Sequence, residues 1–333
     1  MSRRSLVSPV GALLALFCLG ASLPLAATPL SEPQPWVWQQ VARFGGTAVR
    51  GAQVFTIGDT AYTVSGMPDS CIPHHEVWKY DSVANSWTRT SDYPGTPIIE
   101  GVGFSIGGTG YVCLGAVNVT PDRVAEFWQF DPQTNTWTRK ADFPGAARSG
   151  CVAVTIGRKA YVFGGYSTAL LNEIWEYDQE TDAWTRKADC PGNGRFLPAG
   201  FAIGDRAYFG TGSTADGMSQ DIWEYDPQAD TWSRKADFPG EARAYAIGLS
   251  AGGKGYVAFG LLRYAQPMPL VRDIWEYDPA SDAWTQRGEF AGPARSMATG
   301  FVLGSDIYFG LGNNSSGRNL GDVWRTRPVA ANQ

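Results

Sequence analysis

The chain has 333 residues, of which 44% are apolar, and its 40 glycines and 13 tryptophans exceed the usual share for a helical protein of this size. An all-β fold with a sizeable core is therefore expected. Outside a predicted export signal, 25 basic residues stand against 32 acidic ones, a net charge of −7. This balance argues against binding to nucleic acid, whose phosphates need basic partners.

The first 27 residues are typical of an export signal. Arg3 and Arg4 precede an apolar run over residues 11–25, and Ala27 offers a small-residue cleavage point. Cys18 follows Phe17, where a bacterial lipoprotein signal has a small residue, so soluble export is favoured over a lipid anchor. No other stretch approaches the roughly 20 apolar residues that cross a bilayer. We expect an exported protein, periplasmic or secreted, with residues 1–27 removed and 28–35 as a linker.

A pair of tryptophans nine residues apart recurs along the chain with a period of 47 to 52 residues. The first member of the pair occurs six times, at Trp78, Trp128, Trp175, Trp223, Trp275 and Trp324. The second member occurs five times, at Trp87, Trp137, Trp184, Trp232 and Trp284. Because each repeat of this length holds one supersecondary unit, the chain is expected to be an array of six such units.

Each unit is predicted to contain four strands. The third unit reads "SGCVAVTIG", "AYVFGG", "EIWEYD" and "WTRKAD", separated by short turns and followed by the link "CPG". Runs of five to eight alternating or fully apolar residues, interrupted by Gly, Pro and Asp, are strand and turn signals. They leave no room for helices of useful length.

The missing second tryptophan is found at the other end of the chain. The segment "WQQVARFGG" from Trp38 aligns with "WTRKADFPG" from Trp137, whereas the chain ends soon after Trp324. The N-terminal segment is therefore expected to supply the outer strand of the last sheet. Such closure removes the exposed sheet edges of an open array. The array is predicted over residues 36–327, with 328–333 as a tail.

The repeats resemble the Kelch family. The Gly-Gly after the second strand (Gly164 and Gly165), the aromatic-Asp pair of the third strand and the Trp of the fourth carry this resemblance. It implies an all-β, six-bladed Kelch-type β-propeller with four-stranded blades. The Gly-Gly is degraded to "TVSG", "VCLG", "FGTG", "VAFG" and "FGLG" in the other five blades.

Two sets of charged residues recur at fixed places in the blades. Five positions after the aromatic residue or Cys that precedes each link, blades 1 and 2 have Val49 and Ile98, and the other four have Arg148, Arg195, Arg243 and Arg295. Two positions before each first tryptophan stands an acid, namely Glu76, Glu126, Glu173, Asp221, Asp273 and Asp322. The two sets should lie on one face, about 10 Å apart, since the entrances of the first and third strands share that face.

Two interpretations of these sets are open. Both can be structural, holding loops around a central channel. Alternatively, blades 1 and 2 have lost the basic partner and are free for another use. That sector also contains Arg50, Glu100 and the two histidines of the chain, His74 and His75. Adjacent histidines in a loop usually face solvent, but their position beside acids without an arginine makes them candidates for mutation.

The loops between the second and third strands vary widely in length, whereas the other turns are short and uniform. They run from "YSTALLN" in blade 3 to "LLRYAQPMPLVR" in blade 5, which carries Tyr264. Variable loops on a rigid scaffold commonly carry function. We therefore place the binding face on these loops, with Arg50, His74, His75, Glu100, Tyr264 and the four recurring arginines as candidate ligand-binding residues.

Catalysis requires a nucleophile or an acid and base within reach of one another, and no spacing in the chain shows such a set. Galactose oxidase, a Kelch-like relative, uses copper with two well-separated histidines, so the adjacent histidines here disfavour that chemistry. Neither a metal nor another cofactor is expected. An exported Kelch propeller, the sialic-acid mutarotase N-acetylneuraminate epimerase, is a nearer analogue. By this analogy of fold and compartment an anionic sugar suits the four arginines, and His74, Glu100 and Arg148 are the candidate catalytic residues, although that enzyme's motifs are not matched residue by residue.

The sequence favours an exported binding module for an extracellular glycan or protein, and a mutarotase-type enzyme is the alternative. A monomer is expected. Of the cysteines beyond the signal, Cys71, Cys113, Cys151 and Cys190, the spacings match no metal or redox motif. One disulfide is possible in an oxidising compartment, but the spacings assign none.

Overall fold

The computed structural model describes residues 36–118 and 122–328. The predicted signal, the linker 28–35 and the tail beyond residue 328 lie outside these described residues. Within them the structure consists of strands and loops, and no helix there is long and apolar enough to cross a membrane.

Six four-stranded antiparallel sheets, the blades, follow one another along the chain. Blade 1 contains Gln53–Ile57, Thr60–Val64, Val77–Asp81 and Ser86–Arg89. Blade 2 contains Val102–Ile106, Thr109–Cys113, Phe127–Asp131 and Thr136–Arg139. Blade 3 contains Ser149–Ile156, Lys159–Tyr166, Ile174–Asp178 and Ala183–Arg186.

The second half of the chain repeats the arrangement. Blade 4 contains Ala199–Ile203, Arg206–Gly210, Ile222–Asp226 and Thr231–Lys235. Blade 5 contains Ile247–Ala251, Lys254–Ala258, Asp273–Asp278 and Ala283–Glu289. Blade 6 contains Thr299–Leu303, Asp306–Gly310, Val323–Thr326 and, from the other end of the chain, Gln39–Gln40.

The ring closes as the sequence predicts. Gln39 pairs with Arg325 and Gln40 pairs with Trp324, so the N-terminal segment forms the outer strand of blade 6. Trp38 packs edge-on against Phe290, with ring centroids 4.9 Å apart. The expected all-β, six-bladed propeller with four-stranded blades is therefore confirmed, including its closure.

The hydrophobic core lies between the blades. Tyr111 of blade 2 approaches Tyr177 of blade 3 with ring centroids 5.5 Å apart, and Phe127 meets Trp184 edge-on at 5.2 Å. The recurring tryptophans and aromatic-Asp pairs thus supply the faces that neighbouring blades bury against each other. Burying aromatic surface of 150–250 Å² per ring is the main stabilisation available to such an array.

The first strands of the six blades stand side by side around a central channel. The second strand of each blade ends, and the third begins, at one end of that channel, which we call the loop face. Two short strand pairs lie in its loops, Val49–Arg50 with Met67–Pro68 and Ser213–Thr214 with Gly217–Met218. Among residues 36–118 and 122–328, the opposite face carries the short hairpins and turns.

Candidate functional site

The loop-face end of the channel opens into a cavity of about 150 Å³, which we call the channel mouth. All six blades contribute to its wall at the entrance of their first strands. Its charged and polar side chains are Glu100 and Tyr245, whereas Leu197, Met297 and Ile247 supply apolar surface. A concave site with few polar groups on a largely apolar wall is the usual form of a small-ligand pocket.

One backbone position lines the mouth in every blade. It lies two residues after the recurring arginine position, and its φ is between +50° and +64° in all six blades, at Gly51, Glu100, Gly150, Leu197, Tyr245 and Met297. Hydrogen bonds from one blade to the next join five of these positions, running from Met297 through Gly51, Glu100 and Gly150 to Leu197. The amide of Glu100 donates to the Gly51 carbonyl at 3.0 Å, and the amide of Gly150 donates to the Glu100 carbonyl at 2.8 Å.

Four of these six positions hold residues with a Cβ, for which a left-handed conformation costs about 1–3 kcal/mol. Hydrogen bonds between blades hold the backbone at three of the four, Glu100, Leu197 and Met297. Because the Cα atoms are fixed around the opening, the identity of each side chain decides what the mouth presents to a ligand. This chain places an acid and a phenol at two of the six positions, Glu100 and Tyr245.

The Glu100 carboxyl and the Tyr245 hydroxyl meet at the mouth although 145 residues separate them. Tyr245 Oη donates to Glu100 Oε1 at 3.0 Å, and the Ser149 hydroxyl also bonds to this carboxyl. Burial raises the pKa of Glu100 above the ordinary value, while Tyr245, the positive charge of Arg123, Ser149 and Arg50 oppose that rise. Glu100 is therefore a carboxyl that retains its proton to a higher pH than an exposed glutamate.

Further aromatic and basic groups surround the pair. Tyr264 is 60% exposed, and its hydroxyl bonds to Ser213. The Arg123 guanidinium lies over the Tyr166 ring, 4.7 Å from its centroid. The loop face therefore combines aromatic surface with the Glu100 carboxyl and two nearby cations, Arg50 and Arg123.

The four recurring arginines lie inside the wall of the propeller. Their side chains are at most 1% exposed. Each pairs with the acid of its own blade, with the shortest N–O distances between 2.5 and 2.8 Å, in Arg148–Glu173, Arg195–Asp221, Arg243–Asp273 and Arg295–Asp322. Each Nε and Nη1 also donates to backbone carbonyls, as at Ala146 and Gly164 for Arg148. This geometry supports the structural interpretation of the two sets.

Blades 1 and 2 replace the arginine by other means. In blade 2, Thr96 donates its amide at 3.0 Å and its hydroxyl at 2.7 Å to Glu126, and Trp128 Nε1 donates at 2.9 Å. Burial alone would raise the pKa of Glu126, but these hydrogen bonds lower it overall. In blade 1, Glu76 accepts from Trp78 Nε1 at 2.9 Å, as the acid of every blade accepts from its tryptophan, and Arg89 Nη1 lies 3.8 Å from its carboxylate. The hypothesis that these acids are left unpaired is therefore wrong.

His75 has a counterpart in other blades. Its Nδ1 lies 2.8 Å from the Tyr93 carbonyl. At the same position in blade 3, the Asn172 side chain donates to the Cys190 carbonyl at 2.8 Å, and in blade 4 Gln220 donates to the Phe238 carbonyl at 3.3 Å. His75 thus joins the loop to the following link, as amides do elsewhere.

His74 lies apart from the Glu100 carboxyl. Its Nδ1 accepts from the Glu76 amide at 3.3 Å. Burial lowers the pKa of His74, partly opposed by the Glu76 charge, and Arg89 and His75 lower it slightly. Arg50 belongs to the mouth side, where its guanidinium donates to Asn319 Oδ1 at 3.3 Å. Of the predicted residues, Arg50 and Tyr264 interact electrostatically with Glu100, and neither His74 nor His75 contributes to the pKa shift of Glu100.

The four cysteines beyond the predicted signal are free thiols in the structure. Cys71 is exposed, and Cys113 and Cys190 are buried. Burial raises the pKa of Cys151 to about 12. No group of three or more His, Cys, Asp or Glu side chains that could hold a metal ion occurs within residues 36–118 and 122–328.

Tyr245 and Ser149 contribute to the mouth but are absent from the sequence-based candidates. The signal that could have found Tyr245 is the constant interval itself, since Tyr245 follows Arg243 by the two positions that separate Glu100 from Ile98. A comparison of that position across blades isolates one acid and one phenol among glycines and apolar residues. Their contact across the channel depends on the ring and has no local signal.

Comparisons with known proteins agree with this architecture. Residues 51–260 and 104–312 each match the KLHDC2/KLHL20/DRC7 Kelch-repeats domain. A solved structure titled "Structure of YjhT" is similar with a TM-score of 0.73 and 16% sequence identity, over 85% of this chain and 95% of that chain. At this identity the similarity shows a shared fold. None of the curated proteins matches the chain.

Proposed function

The chain belongs to the Kelch-repeat family, and on that premise we propose that it is an exported binding module whose loop face holds an extracellular ligand, a glycan or a protein. Among these two, the geometry favours a glycan. The observation that carries the proposal is the Glu100–Tyr245 pair at the channel mouth. Export is supported by the sequence of residues 1–27.

The chemistry of the mouth suits a sugar. Glu100 and Tyr245 offer oxygen atoms that accept or donate hydrogen bonds to hydroxyl groups, and Leu197 and Met297 offer apolar surface to a ring's C–H face. Tyr264 adds an exposed aromatic face on the same side of the molecule. The cavity of about 150 Å³ accommodates part of a monosaccharide, with the remainder against the loops.

A mutarotase-type activity is the second candidate, and the raised pKa of Glu100 favours it. Ring opening of a sugar needs a group that gives a proton to one oxygen and takes one from another. A carboxyl whose pKa is raised by burial, hydrogen-bonded to a phenol, is suited to both steps. Among the candidate catalytic residues, Glu100 is therefore preferred to His74, which lies elsewhere, and to Arg148, which is paired with Glu173.

Binding can be tested on a glycan array with the purified protein and with Glu100→Gln, Tyr245→Phe and Tyr264→Ala. Loss of the Tyr245 hydroxyl removes one hydrogen bond, so affinity should fall about five- to tenfold. Asp59→Asn, in an exposed turn of the opposite face, serves as the matched control and should bind normally. Equal binding by all four variants would place the ligand outside the mouth, and capture of proteins alone in a pull-down would favour a protein ligand.

The second candidate is tested by following mutarotation of sialic acid by NMR. Acceleration by the wild-type protein that is lost in Glu100→Gln and kept in Asp59→Asn would support an enzyme. A rate equal to that in buffer would eliminate this activity and leave the binding module untouched.

A further inference from the structure

A second polar position repeats at the seams between blades, on the side away from the channel mouth. In each blade a tyrosine of the second strand lies opposite a polar residue of the third strand. The six pairs are Tyr62–Lys79, Tyr111–Gln129, Tyr161–Glu176, Tyr208–Glu224, Tyr256–Glu276 and Tyr308–Arg325. The six seams differ in the partners of this tyrosine and of the polar residue opposite it.

A carboxylate accepts the tyrosine hydroxyl in blades 3, 4 and 5. Tyr161 Oη donates to Glu176 Oε2 at 2.9 Å, and Tyr256 Oη donates to Glu276 Oε2 at 2.9 Å. A cation balances the charge in each case, as Lys159 Nζ does at 2.7 Å from Glu176. The favoured occupant of this position is thus a carboxylate held between a phenol and a cation.

In the seams of blades 2 and 6, other side chains supply the partner for the polar group. In blade 2, the Gln179 amide from blade 3 donates to the Tyr111 hydroxyl at 3.1 Å. In blade 6 the third-strand position holds a cation instead of a carboxylate: Arg325 occupies it, and its Nη1 lies 3.6 Å from the Asp306 carboxylate. In both blades the partner comes from the chain itself.

Blade 1 has the cation and the phenol without the carboxylate. Within the described residues, no carboxylate oxygen lies within 4 Å of Lys79 Nζ, and Thr60 stands where blade 6 has Asp306. Pro132 stands where blade 3 has Gln179, so this position of the neighbouring blade supplies no amide to Tyr62, and the Asn135 amide that lines the seam accepts from Thr90 instead. The seam instead contains a cavity of about 200 Å³.

The wall of this cavity has two parts. Its floor consists of the Tyr62 and Phe130 rings, which are tilted by 58° with centroids 5.2 Å apart. Its rim is formed by the side chains of Lys79, Thr88, Arg89, Thr90, Pro132 and Asn135. Burial raises the pKa of the Tyr62 hydroxyl, so this group remains a hydrogen-bond donor at neutral pH.

We propose that the blade 1 seam is a binding site for a small organic carboxylate, which places its carboxylate between Lys79 and the Tyr62 hydroxyl and its apolar body against Phe130. The ligand carboxylate has the role that the Glu176 carboxylate has in blade 3, as an acceptor between a tyrosine hydroxyl and a lysine. Charge-assisted hydrogen bonds to Lys and to a hydroxyl give this group its specificity over a neutral amide. The site is separate from the channel mouth and does not depend on the proposed function.

The site is tested with sodium butyrate as the probe and the protein carrying ¹³C-labelled lysine. The Lys79 ε-methylene signal, identified by its loss in Lys79→Gln, should shift saturably with butyrate and not with butyramide. Saturation-transfer NMR of butyrate should show affinity about fivefold weaker in Tyr62→Phe and at least about tenfold weaker in Lys79→Gln. Gln129 occupies this position in blade 2, so Lys79→Gln is expected to fold normally.

Lys254→Gln is the matched control, because Lys254 Nζ already has the Asp278 carboxylate at 2.8 Å. It should leave the butyrate titration of Lys79 unchanged. Sodium chloride at the same ionic strength should not reproduce the shift. A shift that follows ionic strength alone, or butyrate binding retained in Lys79→Gln, would overturn the proposal.

Discussion

Arg195 and Asp221 show how a charged pair is held inside a blade. The two guanidinium nitrogens Nη1 and Nη2 each lie 2.8 Å from a carboxylate oxygen of Asp221, and Trp223 Nε1 also bonds to this carboxylate. Burial alone would raise the pKa of Asp221, but Arg195 and the other donors lower it to about 2. Removing one partner from a buried pair leaves the other uncompensated, which is the costly change.

We predict that Asp221→Asn destabilises the protein at pH 7. A carboxyl whose pKa falls from 3.8 in the unfolded chain to about 2 in the fold contributes roughly 2 kcal/mol above pH 3.8, and this contribution is lost as the pH falls to about 2. Denaturant unfolding at several pH values should show the difference from wild type shrinking over that window. Asp59→Asn, an exposed substitution, should show no such dependence; a pH-independent loss in Asp221→Asn would contradict the ion-pair origin.

The strand that closes the ring is short and is anchored by aromatic packing. Only Gln39 and Gln40 pair with Val323–Thr326 as a strand. Trp38 contacts Phe290 and Phe309, with ring centroids 4.9 and 6.0 Å apart. Trp36, which the repeat does not explain, packs edge-on against Tyr256 at 5.4 Å. The tryptophans therefore hold a strand that two ladder pairs alone would leave loosely attached.

We predict that Trp38→Ala lowers the free energy of unfolding by about 3 kcal/mol, because it removes the indole that packs against Phe290 and Phe309 and leaves a cavity there. Hydrogen exchange should speed up first at the amides of Val323–Thr326, since these lose their outer neighbour. Val37→Ala is the control from the adjacent position, where the side chain is 79% exposed, and it should change stability by less than about 0.5 kcal/mol. Equal stability of the two variants would show that the closure does not rest on Trp38.

At the scale of the whole molecule, the predicted export signal leads to a direct test. Expressed with its own N-terminus in a bacterium, the protein should leave the cytoplasm and lose residues 1–27, so that Edman sequencing begins at Thr28. Replacing Arg3 and Arg4 by Glu should retain the unprocessed chain, because the positive segment before the apolar run is removed. An exported species carrying lipid on Cys18 would contradict soluble export, and an unprocessed cytoplasmic chain would contradict export itself.

The six-bladed architecture can be predicted from the amino-acid sequence. Strand patterns, the tryptophan period and the displaced tryptophan at Trp38 were sufficient to predict six blades and their closure, because each is a local or periodic property of the chain. The recurring arginine and acid positions were also visible, with the structural interpretation among the alternatives. Glu100 is a candidate from the sequence because it lies in the sector of blades 1 and 2, where the recurring arginine is absent.

The partners of these groups are visible only once the chain is folded. Thr96 donates to Glu126, where other blades have an arginine, and His75 bonds to the Tyr93 carbonyl, where other blades have a side-chain amide. The Glu100 carboxyl accepts from the Tyr245 hydroxyl, which comes from the opposite part of the ring. The pKa of Glu100 and the cavity beside Lys79 depend on burial and on neighbouring blades. Repeats fix the position of each backbone segment, but contacts across the ring join residues far apart in the chain, and no local pattern encodes them.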